Sequence, residues 1–317
     1  MWQERQIELL RDEIEAVLAP LSSVTGFYEI IKEPFTAQKR GLSAESIHDR
    51  PWSLLPIIVY EAISGYYEHA VPIAAVLQLL TVAGDVFDDI EDADSSQSLS
   101  AKYGPAIATN AATTLLILAE RAITRLKIRG VADRIIIRII DAVNSYYTSA
   151  CVGQHLDLSL SLGLTISEDS YLRIIGMKSA SQVECACHIG ALLATENQEL
   201  IDTFTVFGHN LGMAAQITND INGIIHGSDI QKQRLTLPLI YALAQINCKS
   251  LNQLERASVK SSESVSGPAQ IRELLFRIGG VHYAMIKMQF YKQLALDSLS
   301  KAERVGASVE RLKLFLE

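Results

Sequence analysis

The chain has 317 residues, of which 49% are hydrophobic and 20% are charged, and its formal net charge is −8. This length allows one large domain or two ordinary ones, and the composition is typical of a folded globular protein. The acidic balance argues against a nucleic-acid-binding surface and against a polybasic membrane patch. No signal peptide, uninterrupted apolar run of membrane-spanning length or cysteine-rich framework is visible, so we expect a cytoplasmic protein that does not span a membrane.

Hydrophobic residues recur with helical spacing along most of the chain, and the alternating pattern of β-strands is nearly absent. The predicted helices cover residues 2–19, 53–67, 70–92, 104–128, 131–161, 167–194, 198–226, 235–246, 269–298 and 299–315. Two polar stretches, residues 33–51 and 258–268, are predicted to be mobile loops. No repeat of fixed period and no change in composition occurs, so residues 1–317 are predicted to form one all-α domain, a helical bundle.

The first unusual feature is the acidic stretch DVFDDIEDAD, which closes the predicted helix 70–92. Asp88 and Asp92 are four residues apart and share one helix face, and Asp89 lies about 100° around the axis. Like charges at this spacing repel, and acids near a helix C-terminus oppose the helix dipole. The cluster therefore needs either solvent or a cation. Oxygen donors without Cys or His favour Mg²⁺, while a solvated helix end is the alternative.

A second polar cluster lies on the predicted helix 198–226. Gln216 and Asp220 are four residues apart, with Asn219 beside Asp220. The cations Lys232 and Arg234 follow shortly after. Amide, carboxylate and cationic groups near one helix end could form a second side of a site that binds a metal and a phosphate. Such groups are, however, common at helix ends.

Two further candidates lie inside predicted helices. GQHLDL contains Gln154 and Asp157, and GMKSAS contains Lys178 within an otherwise apolar run. A lone lysine on an apolar helix usually extends to the surface. Its functional interpretation is a charge that binds a diphosphate within the helical bundle.

Five ordered motifs carry a family resemblance. DDIED (88–92), GQHLD (153–157), KSA (178–180), QITND (216–220) and TLPLIYAL (236–243) have the order and spacing found in the trans-isoprenyl diphosphate synthases. The resemblance runs from about residue 50 to the C-terminus. It implies the all-α terpenoid synthase bundle, in which two acidic helix ends face each other across a deep apolar cavity, and it implies a homodimer.

The same resemblance assigns roles to individual residues. It implies three Mg²⁺ ions per active site and an allylic prenyl diphosphate as substrate. The implied catalytic and metal-binding residues are Asp88, Asp89, Asp92, Asn219 and Asp220. The implied diphosphate-binding residues are Lys178, Gln216, Lys232 and Arg234, and the implied cavity residues are Ala83, Gly84, Phe87, Tyr147 and Gln154. Because Ala83 and Gly84 are small, we expect a C15 or C20 substrate rather than a C10 one.

The chain departs from the family pattern at the residues that bind the second substrate. In chain-elongating synthases that substrate is the acceptor, isopentenyl diphosphate. Chain-elongating synthases carry GGKRxRP before the first acidic helix and an Arg-Arg pair after it, whereas this chain has HDRPWSLLP and ADSSQSLSAKYGP. Gly223 also stands where the second motif usually has an aspartate, and Arg234 stands where a lysine is usual. A second diphosphate bound without those cations would leave its charge uncompensated. The donor half of the site is therefore retained and the usual acceptor half is lost.

Four functions fit this profile. The first is a terpene synthase that cyclises or eliminates from one prenyl diphosphate, although Gly223 and Gly227 replace the Ser and Glu of the NDxxSxxxE motif. The second is prenyl transfer to a peptide or an aromatic ring, as in the similar ComQ-type prenyltransferases of quorum-sensing peptides. The third is chain elongation with an unrecognised acceptor site, and the fourth is an inactive partner subunit. The sequence favours the first.

Overall fold

A computed structural model describes residues 4–36, 52–92, 96–160, 166–232, 234–245 and 267–317, apart from the side chains of residues 36, 92, 267 and 268. Helices and turns account for these ranges, and no strand occurs within them. The all-α prediction is therefore confirmed. The predicted loop 258–268 lies mostly outside the described residues, as do residues 37–51, which include the HDRP segment.

The α-helices follow one another along nearly the whole described chain. They are α1 (Glu4–Leu18), α2 (Thr25–Thr36), α3 (Leu55–Ser64), α4 (Val71–Asp92), α5 (Leu99–Tyr103), α6 (Pro105–Thr124), α7 (Asp133–Leu158), α8 (Glu168–Ile175), α9 (Ser181–Ala194), α10 (Gln198–His226), α11 (Ser228–Gln231), α12 (Leu237–Gln245), α13 (Gly267–Ile278), α14 (Gly280–Arg304) and α15 (Glu310–Lys313). A π-helical turn, Gly176–Ala180, joins α8 to α9.

Several helices differ from the prediction: α2, α5 and α11 were not predicted, and the π-helical turn interrupts the predicted helix 167–194. Two of the differences have a clear physical cause. Residues 33–36, predicted as loop, belong to α2, which contains Pro34. Proline costs a helix one backbone hydrogen bond, but α2 also buries Ile31 completely, and that burial favours the helix. At the C-terminal end the break falls at Gly279 rather than at residue 298, because Gly279 adopts a left-handed φ of 90° that an α-helix cannot continue.

Helix α4 lies at the centre of the first hydrophobic cluster. It packs against α1, α3, α6 and α9, and every residue from 71 to 80 is buried. A second cluster joins α8, α10, α12, α13 and α14. Helix α10 contributes to both, with Phe204 and Phe207 in the first and Ile217 and Ile221 in the second. The end of α10 that carries the second polar motif is thus held by the second cluster.

Two glycines allow close packing around the π-helical turn. A Cβ atom on Gly153 of α7 would lie 2.3 Å from the backbone nitrogen of Lys178, and one on Gly212 of α10 would lie 2.6 Å from the Cα of Ala180. Real Cβ atoms do not approach so closely, so α7 and α10 contact the turn because these side chains are absent. π-Turns are frequent at functional sites. Here the turn carries Lys178.

Two helical segments are long and apolar enough to cross a membrane by length and composition, namely Glu68–Glu91 and Pro105–Lys127. In the first, which contains α4, 78% of the apolar window is buried inside the protein. In the second, which contains α6, only 44% is buried. The apolar character of the first segment is accounted for by core packing, whereas α6 presents apolar side chains on its outer face.

Adding a methyl group at Gly153 should destabilise the protein. Gly153→Ala places its Cβ against the Lys178 backbone, and such overpacking costs about 1–3 kcal/mol. Gly84→Ala is the matched control, because its Cβ would meet nothing within 4 Å. Helix propensity alone would then raise stability by up to about 1 kcal/mol. Urea unfolding of both variants measures the difference, and equal stabilities would contradict the close packing.

Candidate active site

The end of α4 carries the first acidic cluster, and α7 contacts it through an amide. The Nε2 atom of Gln154 donates hydrogen bonds to Asp88 at 3.0 Å and to Glu91 at 2.6 Å. Asp89 is partly exposed beside them, and the side chain of Asp92 lies outside the described residues. An amide orients these carboxylates without neutralising their charge. Carboxylate and amide oxygens grouped at one helix end are the kind of donors that Mg²⁺ prefers.

A narrow accessible stripe runs along α4 towards this cluster. Thr81 and Gly84 are exposed, although most neighbouring positions on the helix are buried. The structure differs from the sequence expectation at Ala83, which is fully buried in the core and does not border this space. Consecutive helix residues point about 100° apart, so only one of the two small residues can face it. Phe87 is partly buried and packs against the core.

Helix α7 faces the stripe in register with α4. Gln154 lies beside Asp88, and two turns earlier Tyr147 lies beside Thr81. Both pairs are separated by seven residues on each helix, so the two helices run parallel here. Tyr147 is then about 10 Å along the axis from Gln154. Burial raises the pKa of Tyr147 well above its usual value, so its phenol remains neutral.

Lys178 lies next to these groups, paired with a second residue of the GQHLD motif. Its Nζ is 2.6 Å from the Oδ2 of Asp157, and the side chain of Lys178 remains 28% exposed. Asp157 is one helical turn beyond Gln154 on α7. The lysine therefore lies near the acidic end of α4 and does not extend into open solvent.

Asp220 lies in a buried site on α10. It is 3% exposed, and it accepts hydrogen bonds from the Tyr171 hydroxyl at 2.6 Å, from Gln216 at 3.0 Å and from the Leu237 amide at 3.0 Å. Burial raises its pKa to about 6, against the lowering effect of these three donors. The negative charge of Asp157 also acts on Tyr171. Tyr171 thus lies near enough to both Asp220 and Asp157 for the charge of each to act on it.

The remaining predicted residues surround the C-terminal end of α10. Asn219, Lys232 and Arg234 are exposed. The positive charges of Arg234 and Lys232 act on Asp229, lowering a pKa that burial raises. The cations thus lie near a carboxylate that the family pattern does not include.

Sequence reasoning missed Tyr171 and the amide of Leu237. A tyrosine in a short amphipathic helix carries no signal of its own. The TLP segment did mark the approximate place, since Leu237 is its second residue. Only the packing of α8 and α12 against α10 shows that both groups bind Asp220.

The donor set fits divalent cations bound together with a diphosphate. Carboxylate and amide oxygens dominate, and the buried Oε1 of Gln154 and hydroxyl of Thr236 make no hydrogen bond. Unpaired buried polar atoms are rare and indicate a missing polar partner. Among the described side chains, which exclude Asp92, no three His, Cys, Asp or Glu groups lie close enough to hold a metal alone. Mg²⁺ usually keeps waters and shares substrate phosphates, so such a cage is not required.

A helical bundle with carboxylates at the ends of two long helices and a lysine between them defines the isoprenyl diphosphate synthase class. A sequence model of the polyprenyl synthetase family matches residues 50–275. The chain belongs to this family, as the sequence motifs predicted.

Individual relatives are similar along most of their length. Tryptophan prenyltransferase ComQ of Bacillus spizizenii is 28% identical over 247 residues, covering 76% of this chain and 84% of the relative. Geranylgeranyl diphosphate synthase of Mycobacterium tuberculosis is 26% identical over 312 residues, covering 93% and 86%. The crystal structure of geranylgeranyl pyrophosphate synthetase from Pyrococcus horikoshii superposes with a TM-score of 0.83 at 22% identity, covering 98% and 93%. This likeness confirms the terpenoid synthase fold.

Asp220 should make the stability of the metal-free protein depend on pH. Raising its pKa from 3.8 to about 6 makes the charged form less favourable by an amount on the order of 3 kcal/mol. The contribution of the protonated Asp220 carboxyl to the free energy of unfolding is therefore complete below pH 4, and it is lost as the pH rises through 6. In EDTA, the free energy of unfolding of the wild type should fall over this range relative to Asp220→Asn. The exposed control Asp202→Asn should follow the wild type, and parallel curves for Asp220→Asn would contradict the raised pKa.

Proposed function

We propose that the protein is a Mg²⁺-dependent enzyme that ionises an allylic prenyl diphosphate. The observation that carries this proposal is the adjacency of two contacts on α7. Gln154 orients the Asp88 carboxylate, and one turn away Asp157 holds Lys178. Both lie at the acidic end of the stripe that contains Gly84. A diphosphate placed there would meet a cation and metal-binding oxygens while its prenyl chain extended along α4.

The metal-binding groups come from both helix ends. Asp88, Asp89 and Asp92 on α4 would hold Mg²⁺ together with Asn219 and Asp220 on α10, with three ions per site as the family resemblance implies. Bound Mg²⁺ supplies positive charge that stabilises the diphosphate as it leaves.

The protein's own residues bind and orient the diphosphate. Lys178 would contribute a fixed positive charge, and Lys232 and Arg234 would face the diphosphate from the other side, with Gln216 beside them. Charge-assisted hydrogen bonds to phosphate oxygens are strong, and they strengthen as negative charge develops on the leaving group. In this proposal the carboxylates of α4 bind metal and transfer no proton as the diphosphate leaves.

The gap between α4 and α7 would hold the prenyl chain. Gly84 leaves open space directly above Asp88, with Thr81 and Tyr147 further along and Phe87 at the edge. An apolar gap that excludes water delays capture of the allylic cation, and aromatic faces stabilise positive charge. The open space at Gly84 favours a C15 or C20 substrate.

The fate of the prenyl group is the finer question. Cyclisation or elimination needs only one diphosphate, which agrees with the missing acceptor cations. Similarity to tryptophan prenyltransferases adds weight to transfer onto an indole or another acceptor that carries no diphosphate, and we propose this outcome first, with cyclisation second. Elongation is supported by the similarity to geranylgeranyl diphosphate synthases but would need other acceptor cations. Retention of Asp88 and Asp89 argues against an inactive subunit.

A homodimer in the cytoplasm completes the proposal. The outer faces of α6 and α7 expose the large apolar side chains Ile117 and Ile137, at 64% and 65%. Large exposed apolar patches mark interaction sites in general. A second copy of the chain would cover these faces.

Product analysis separates the possible outcomes. The wild type is incubated with Mg²⁺ and geranyl, farnesyl or geranylgeranyl diphosphate, each alone, with isopentenyl diphosphate, and with a tryptophan-containing peptide. Prenylated peptide supports transfer, and hydrocarbon from one substrate supports cyclisation. Longer diphosphates would show elongation and contradict our interpretation of the missing cations. Preference for the C10 substrate would contradict the chain length.

Asp88→Ala should abolish whichever activity is found, with a loss of more than about 100-fold, because metal-site changes remove transition-state stabilisation. Asp297→Ala is the control, since Asp297 is an exposed carboxylate on α14. Rates are measured at saturating Mg²⁺. An unchanged rate for Asp88→Ala would exclude Asp88 from the metal site.

Ile117→Asp should weaken self-association, because it places a charge in the proposed apolar interface. Light scattering after size exclusion gives the molar mass. Val24→Asp changes an equally exposed apolar residue at the start of α2 and should leave the mass unchanged. A monomeric wild type would contradict the dimer.

A further inference from the structure

Gly223 lies on the polar face of α10, where the family pattern has a third carboxylate. Residues 216, 219 and 223, and likewise 216, 220 and 223, are spaced by three or four, so all four positions lie along one broad side of the helix. A Cβ atom built on Gly223 would lie 1.8 Å from Oδ2 and 2.3 Å from Cγ of Asp229. The Asp229 carboxylate therefore occupies the space in which a side chain at position 223 would begin. The missing group has been replaced in space by one from further along the chain.

The backbone after α10 places Asp229 there. Helix α10 ends at Gly227, whose φ of 81° is left-handed, and the chain turns back into α11. The Ser228 hydroxyl lies 3.4 Å from the Gly223 carbonyl oxygen, and the Arg234 amide donates to the Asp229 carbonyl at 2.9 Å. The turn is thus fixed on both sides of Asp229, and its carboxylate is held against α10.

The other polar groups at this end of α10 are less able than Asp229 to bind a cation. Asp220 already accepts three hydrogen bonds from Tyr171, Gln216 and Leu237, which use most of its lone pairs. Gln216 and Asn219 are neutral. No hydrogen bond from the described residues to the Asp229 carboxylate is found, and the positive charges of Arg234 and Lys232 act on it. Among these groups, Asp229 has the greatest remaining capacity to bind a cation.

We infer that Asp229 supplies the third carboxylate of the second metal-binding cluster, in place of the residue that Gly223 lacks. It would donate its oxygens, directly or through water, to a divalent cation held between α10 and the diphosphate. This inference rests on the proposed function. It also explains why Gly223 is required here: any side chain at that position would displace the Asp229 carboxylate.

The test measures metal binding without turnover. Mn²⁺ binding is followed by electron paramagnetic resonance in the presence of inorganic pyrophosphate, which represents the leaving group. Asp229→Asn should raise the Mn²⁺ dissociation constant about 10- to 100-fold, the range seen when groups that support a metal site are removed. Pyrophosphate binding without metal should be unchanged or tighter, because a negative charge has been removed. Asp202→Asn on the same helix, 18 residues from Asp220, should leave both affinities unchanged.

A relocated carboxylate provides the complementary variant. Gly223→Asp combined with Asp229→Ala returns the carboxylate to α10 and should bind Mn²⁺ more tightly than Asp229→Ala alone. Thermal unfolding of every variant verifies folding. Wild-type affinity in Asp229→Asn, or no recovery in a folded double variant, would overturn the inference while leaving the proposed function intact. A wild type that binds no Mn²⁺ with pyrophosphate would overturn both.

Discussion

The central constraint on this structure is the clustering of negative charge at the C-terminal end of α4, the end of a helix that tolerates negative charge least. Asp88 and Glu91 lie near the C-terminal end of α4, where the helix dipole and their mutual repulsion both oppose them. The amide of Gln154 donates a hydrogen bond to each carboxylate and orients both, but it brings no positive charge. The cation Lys178 is itself paired with Asp157. A divalent cation bound at this helix end would relieve both penalties.

The two acidic helix ends solve this problem differently. On α4, Asp88 and Asp89 are partly exposed. On α10 the carboxylate of Asp220 is buried and accepts bonds from three elements, so it fixes α8 and α12 to α10. In the proposed function, Asp220 would then share metal binding at the second end with Asn219 and Asp229. The second acidic motif therefore has a partly structural role, which agrees with the replacement of its usual aspartate by Gly223.

Much of the fold could be predicted from the sequence, because helical periodicity survives in every long element. The errors arose where burial outweighed a local signal, as at Pro34 in α2, or where one glycine decided a break, as at Gly279. The site motifs predicted that Asp88, Gln154 and Lys178 would lie near one another. They could not distinguish Ala83 from Gly84, since a single residue step turns the side chain by about 100°. Nor could they predict Asp229, whose position depends on the path of a turn.

The glycines around the π-helical turn show that the position of a charged side chain can depend on the absence of side chains at neighbouring positions. Lys178 sits where it does because Gly153 and Gly212 have nothing to interpose between three backbones. Two positions with no chemistry of their own thus constrain the site. A larger residue at either one would force the π-helical turn, and Lys178 with it, away from α7 or α10.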